Sequence, residues 1–248
     1  MIIIKSRKEI EKIRASCIIV AGALEELKKK VRSGITTGEL DRIAEEFILK
    51  NGGVPAFKGY KGYPSASCIS VNEEIVHGIP SYRDLKDGDI VSIDIGVLLD
   101  GYYGDAAITV PVNEIDSESR RLLDVTEKSL YKALDFARPG CRVSDISCTI
   151  QDYVESAGYS VVREFVGHGI GSSLHEDPPV PNYGERGKGP RLKAGMVLAI
   201  EPMVNAGGSD LVVLDNGWTA VTKDRKRSAH FEHTVAITED GHEILSML

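Results

Sequence analysis

Leu85-Lys86-Asp87-Gly88-Asp89-Ile90-Val91-Ser92-Ile93-Asp94 and Leu192-Lys193-Ala194-Gly195-Met196-Val197-Leu198-Ala199-Ile200-Glu201 follow one pattern twice in a single chain. Each is a glycine turn, then a near-continuous apolar run, then one acid. An unbroken apolar run of this length reads as a strand buried on both faces. An acid closing such a strand is costly unless it is paired or bound to a cation. Duplication of a core would reproduce apolar positions, but it would not require the acid to recur.

The repetition extends upstream. Leu40, Ile43, Ala44, Phe47 and Ile48 form the stripe of an amphipathic helix, and Ile146, Thr149, Ile150, Tyr153 and Val154 occupy the matching places. Thr36 with Glu39 makes a capping box, while Gly52 and Gly158 suit left-handed helix ends. The patterns predict helices over Ser6–Lys30, Thr37–Asn51, Glu118–Ala137 and Ser144–Ala157. Turn dipeptides at Asp100-Gly101 and Asn216-Gly217 favour antiparallel hairpins. The expected fold class is α/β of the α+β kind. Two pseudo-symmetric halves, roughly 6–110 and 117–238, would form one domain over 1–248, with helices covering a curved, largely antiparallel sheet.

The composition excludes several other classes. With 248 residues, 42% hydrophobic and 27% charged, the chain can bury a large core without disulfides. A net charge of −7 argues against nucleic-acid specificity, and Lys28-Lys29-Lys30 fits a solvated helix end rather than a basic patch. Cys17, Cys68, Cys141 and Cys148 have neither zinc nor redox spacing, as expected of free thiols in a reducing cytoplasm. Residues 1–14 lack a signal-peptide stretch, and Cys17–Leu24 is too short an apolar run to span a membrane.

If Asp100-Gly101 forms a two-residue turn, Asp94 faces Ala107 and Asp105 lies diagonally on the same sheet face. Two close carboxylates point to an intervening cation; the plainer alternative is a pair of solvent-facing strand acids. The second half offers His168 within Gly167-His168-Gly169, then His175, Glu201 and Glu232, with Glu232 opening a strand over Phe231–Ile237. Gly-His-Gly taken alone suits a hydrogen-bonded structural histidine. Four carboxylates, however, match the charge of two divalent cations.

Taken together, His77-Gly78-Ile79-Pro80, Ser92–Asp105, Gly167–Pro178 with its His-Glu-Asp-Pro, Glu201-Pro202-Met203 and Glu232-His233-Thr234 resemble the type I methionine aminopeptidases, end to end. The resemblance implies a pita-bread fold and removal of the initiator methionine, preferably before a small second residue. It implies that Asp94, Asp105, His168, Glu201 and Glu232 hold two divalent ions (cobalt, manganese, iron or zinc) about 3–4 Å apart, with Asp105 and Glu232 bridging. His77 and His175 would contact substrate, and Glu201 would also shuttle a proton. Phe57, Tyr60, Tyr63, Cys68, Leu174 and Trp218 would wall the methionine pocket. A monovalent cation would sit near Asn72, Glu74 and Ser228.

The chain departs from the usual bacterial pattern at Phe57, Leu174 and His230, where cysteine, phenylalanine and glutamine are common. His230, His233 and His242 are read as structural or surface residues. The expected partner is the N-terminus of a nascent or newly made polypeptide, with docking on the ribosome left open by the charge. The expected protein is a cytoplasmic monomer without membrane contact. Two rival readings are a prolidase or Xaa-Pro aminopeptidase of the same fold, and a catalytically dead peptide-binding module.

Overall fold

The computed structural model describes residues 1–247. Helix α1 (Arg7–Lys30) begins with a capping box in which Ser6 and Glu9 satisfy each other's backbone, and it ends on three lysines. Helix α2 (Thr37–Lys50) carries the predicted Thr36–Glu39 box and stops at Gly52, whose φ is +80°. Its Leu40, Ala44 and Ile48 are fully buried. After β1 (Val54–Pro55), β2 (Ser67–Val71) and β3 (Glu74–Val76), the chain forms a long hairpin of β4 (Ile90–Leu99) and β5 (Tyr102–Pro111). Helices α3 (Ser117–Leu134) and α4 (Val143–Ser156) follow. On α4 Ile146, Ile150 and Val154 are fully buried, and the one polar replacement in the stripe, Thr149, donates its hydroxyl to the Asp145 carbonyl.

The remaining chain is a series of short strands. These are β6 (Ser160–Val161), β7 (Gly167–Gly169), β8 (Glu176–Val180), β9 (Val197–Ile200), β10 (Met203–Asn205), β11 (Leu211–Val213), β12 (Ala220–Thr222), β13 (Ser228–His230), β14 (His233–Ile237) and β15 (His242–Ile244). Every strand pair among the described residues is antiparallel. The pairing divides into four groups: β4 with β5 on one edge and β2 and β1 on the other; β13-β10-β6; β11-β12-β3; and β15-β14-β9-β7-β8.

The divisions fall at particular residues. Pro202, lacking an N–H, separates β9 from β10, and Phe231-Glu232 separates β13 from β14. At that second break the Glu232 N–H turns away and donates to the Ala107 carbonyl of β5. Thr109 Oγ1 exchanges hydrogen bonds with the His230 backbone, and Thr234 Oγ1 does the same with that of Asp105. The hairpin β4–β5 is therefore stitched to β13 and β14, and the break sits over it.

Two strand readings need correction. Asp94 is not at a strand end but in the interior of β4, because the ladder continues to Leu99. Glu232 does not open a strand; it occupies the break itself.

Candidate metal centre

In the hairpin, Asp94 lies opposite Ala107 and Asp105 opposite Gly96, as the two-residue turn requires. Both aspartates therefore project from one face. Cys68 of β2 pairs with Asp94 on the other side, and Phe57 packs over Gly96 so closely that an added Cβ would lie 2.5 Å from its ring.

His168 reaches the centre from β7. A Cβ on Gly167 would meet the Ala199 carbonyl oxygen at 2.4 Å, and one on Gly169 the Asp177 carbonyl oxygen at 2.3 Å. Only glycine on both sides lets this backbone approach its neighbours. His168 Nδ1 lies 2.9 Å from the Gly169 carbonyl oxygen. A carbonyl can only accept, so Nδ1 is the donor and Nε2 is the nitrogen turned toward the carboxylates. That Nε2 lies 3.9 Å from Asp105 Oδ2 and 3.7 Å from Glu201 Oε1.

Asp105, His168 and Glu232, all buried, each place one donor atom within 4.8 Å of the others. Asp94 joins through its contact with Asp105, and Glu201 through His168. All five sequence-predicted donors thus face one cavity of about 310 Å³. A larger cavity of about 640 Å³ lies between α1 and α3, but of these donors only Glu232 reaches its wall. The chemistry belongs to the smaller one.

Charge and hydrogen bonding at the centre are unbalanced without a cation. Burial raises the carboxyls of Asp105 and Glu232 well above the ordinary range, and the neighbouring carboxylates raise them further. Burial likewise pushes Asp94 up to about 7, with Glu201 adding to the rise. Asp94 Oδ1 and Asp105 Oδ1 are buried and accept no hydrogen bond. Orphaned carboxylate oxygens beside the His168 Nε2 make a donor set suited to divalent metal. These residues fit such an ion.

The cavity wall includes all six predicted pocket residues: Phe57, Tyr60, Tyr63, Cys68, Leu174 and Trp218. Tyr63 meets Trp218 edge-on, with ring centres 5.1 Å apart. His77, at φ +59°, packs edge-on against Phe165 at 5.1 Å. The His175 ring lies 4.2 Å from that of His168, and Tyr60 stacks on it with its hydroxyl 2.9 Å from Nδ1. Burial lowers the pKa of His77. Burial and then the neighbouring His168 lower that of His175 to about 4, so both rings are neutral near pH 7.

Sequence reading missed some of this wall. Val76, Phe165, Val166 and Met203 also line it, with Lys61 and Glu164, and without an alternating strand pattern nothing marked them. His230 requires a correction: it is 2% exposed, faces the cavity, and holds Nε2 3.4 Å from Glu201 Oε2 with no hydrogen-bond partner for that nitrogen. No local pattern gave this away, because the strand breaks between His230 and Glu232 and the Glu201 contact comes from a distant segment. His233, by contrast, bonds Ser246, and His242 lies on β15 away from the cavity wall. At the expected monovalent-cation position, Ser228 N–H donates to the Asn72 carbonyl, but the Glu74 carboxylate is engaged by Val71 N–H and Arg83.

Residues 11–239 match the profile of Metallopeptidase family M24. Methionine aminopeptidase 1 of Bacillus subtilis is 59% identical over 246 residues, 99% of each chain. The crystal structure of a methionine aminopeptidase from Thermotoga maritima is 50% identical, with full coverage of both chains and a TM-score of 0.99. A prolidase from Pyrococcus furiosus, 26% identical, aligns with 99% of this chain but 66% of its own, at a TM-score of 0.82. The architecture is the pita-bread fold that these proteins share.

Proposed function

The chain belongs to metallopeptidase family M24, and from that premise we propose how it acts as a methionine aminopeptidase on newly made polypeptides. It is a metal-dependent hydrolase of the exopeptidase kind. The observation that carries the reading is the convergence of Asp105, His168 and Glu232, from three separate parts of the chain, with donor atoms within 4.8 Å of one another.

Asp94, Asp105, His168, Glu201 and Glu232 would together hold two divalent ions. When bound, such ions activate a water and the scissile carbonyl as Lewis acids. The donor set of carboxylates and one imidazole accepts cobalt, manganese, iron or zinc. Backbone carbonyls near Asn72 and Ser228 offer a further place for a monovalent cation.

The protein's own groups do the rest. The methionine side chain enters the cavity among Phe57, Tyr63, Cys68, Leu174 and Trp218, whose apolar and sulfur atoms suit a thioether. The Tyr60 hydroxyl lies 2.9 Å from His175 Nδ1; with the hydroxyl as donor there, the neutral ring carries its proton on Nε2 and donates it to the carbonyl oxygen as negative charge develops. His77 retains the amide beyond the cut. Glu201 takes a proton from the attacking water and delivers it to the departing amine. Peptides whose second residue is small are the preferred substrates in this reading.

The chain forms one domain from the halves 6–110 and 117–238 and works as a monomer in the cytoplasm, with ribosome docking compatible with this reading. Among the described residues no helix is long and apolar enough to cross a membrane.

Methionine release from Met-Ala-Ser, compared with Met-Lys peptides and Xaa-Pro dipeptides, tests the reading. Release from the first alone is expected with added divalent ion. Cleavage of Xaa-Pro dipeptides instead would assign the site to prolidase chemistry, and calorimetry showing no ion uptake would leave only a peptide-binding module.

A further inference from the structure

Of the His175-Glu176-Asp177-Pro178 motif, the mechanism uses only the histidine. Glu176 is nonetheless almost fully enclosed, and so is its partner: Lys5 Nζ lies 2.5 Å from Glu176 Oε2, with the two side chains 3% and 4% exposed. The other oxygen, Oε1, accepts the Ser173 N–H at 3.1 Å. One carboxylate thus closes the turn of its own loop and fastens that loop to a segment at the opposite end of the chain.

The fastening has firm ground at both ends. Lys5 donates its backbone N–H to the Gly195 carbonyl at 2.7 Å and directly precedes Ser6, the cap of α1. Gly171, at the root of the loop, accepts from Tyr103 N–H of β5, and an added Cβ there would lie 2.6 Å from Lys5 Cε. The span between these anchors, 171–176, carries two cavity residues, Leu174 and His175.

A buried ion pair is weak as a stabilising device, because apolar residues of equal volume often do as well. What this pair provides is direction, since a charge-assisted hydrogen bond fixes a side chain's position better than apolar packing does. We propose that Lys5 and Glu176 are positioning residues: their buried pair straps the 171–176 loop so that His175 meets the scissile carbonyl. The inference rests on the role given to His175 above.

Lys5→Met breaks the strap. A displacement of a catalytic group by about 1 Å can cost on the order of 100-fold in rate, so kcat on Met-Ala-Ser should fall at least ~10-fold. Divalent-ion affinity measured by calorimetry should stay within about 2-fold, since no donor is removed, and Lys5→Arg should restore most of kcat. Amide exchange at Leu174 and Glu176 should accelerate. In a His175→Ala background the Lys5→Met penalty should shrink to about 2-fold or less, because the strap then has nothing to aim.

A Lys5→Met protein with a lowered melting temperature but unchanged kcat and loop exchange would reduce the pair to a fold fastener and overturn the proposal. If Lys5→Met fails to fold, Glu176→Gln serves instead; unchanged kcat and loop exchange there would overturn it equally. Should the wild-type chain release no methionine, the functional reading fails by itself, while loop exchange still reports on the strap.

Discussion

In β4–β5 the ladder runs from Ile90 opposite Pro111 to Leu99 opposite Tyr102 without a slip, and Asp94 and Asp105 emerge from its middle. In the later strands no donor is held that way. His168 sits on a three-residue strand, Glu201 follows the last residue of β9 just before a proline, and Glu232 lies between two strands. Register positions the first pair, because one turn fixes every partner. Interruption positions Glu201 and Glu232, because a broken ladder frees the backbone to cross toward the hairpin, while His168, paired with Ala199, sits where the β7–β8 register slips. The stiff region fixes two of the donors; the broken region brings the other three to them.

Substitutions can break this contrast, beginning with the largest effect. Asp105→Ala removes the donor nearest both groups, and calorimetry should register loss of divalent binding with turnover down well over ~100-fold, more than an outer-shell change costs. Full activity would remove the hairpin from the centre. Gly167→Ala asks whether the broken region truly depends on close backbone approach. Its Cβ would collide with the Ala199 carbonyl, so His168 must shift, with kcat falling on the order of 100-fold. Unchanged activity would show slack where contact is drawn.

His230→Leu removes the imidazole beside Glu201, whereas His230→Gln keeps a donor in its place. The first should cost on the order of 10-fold in kcat and the second far less, an expectation set by outer-shell partners of ligands. Equal losses would deny His230 any hold on Glu201.

Chelation sharpens the contrast through pH. Asp94, Asp105 and Glu232 have native pKa values above their unfolded ones, so the native state retains protons that the unfolded chain releases. Their contribution is present below the unfolded values near pH 4 and is lost as pH rises through the raised ones, about 7 for Asp94. Melting temperatures of the metal-stripped protein should therefore drop from pH 5 to 8, and saturating divalent ion should abolish the drop. A rise over that window would contradict the repulsion.

The smallest effect compares helix starts. Thr36 caps α2 with its hydroxyl, while α4 starts at Arg142, which has no acceptor and relies on Asp145 receiving its N–H. Thr36→Ala should cost about 1 kcal/mol in denaturant unfolding, and Arg142→Ala clearly less.

Legibility followed the same division. The helices, their glycine stops and the Asp94–Asp105 diagonal could be read because each depends on residues close in sequence. Asp94 was misplaced to a strand end because the apolar run resumes only after it, at Ile95. His230 was set aside because its neighbour Glu201 is remote in sequence and meets it only across β10 and β13. Lys5 carried no signal at all; its partner lies 171 residues away.

The order of the chain determined periodicity, caps, turn chemistry and the doubled pattern of acids, since these arise from short-range sterics and hydrogen bonding. Tertiary structure alone decided which donors share one space, which histidine faces the cavity, and what holds the loop of His175. Those outcomes depend on where ladders break and on which distant charges are buried together, and neither property belongs to any local stretch.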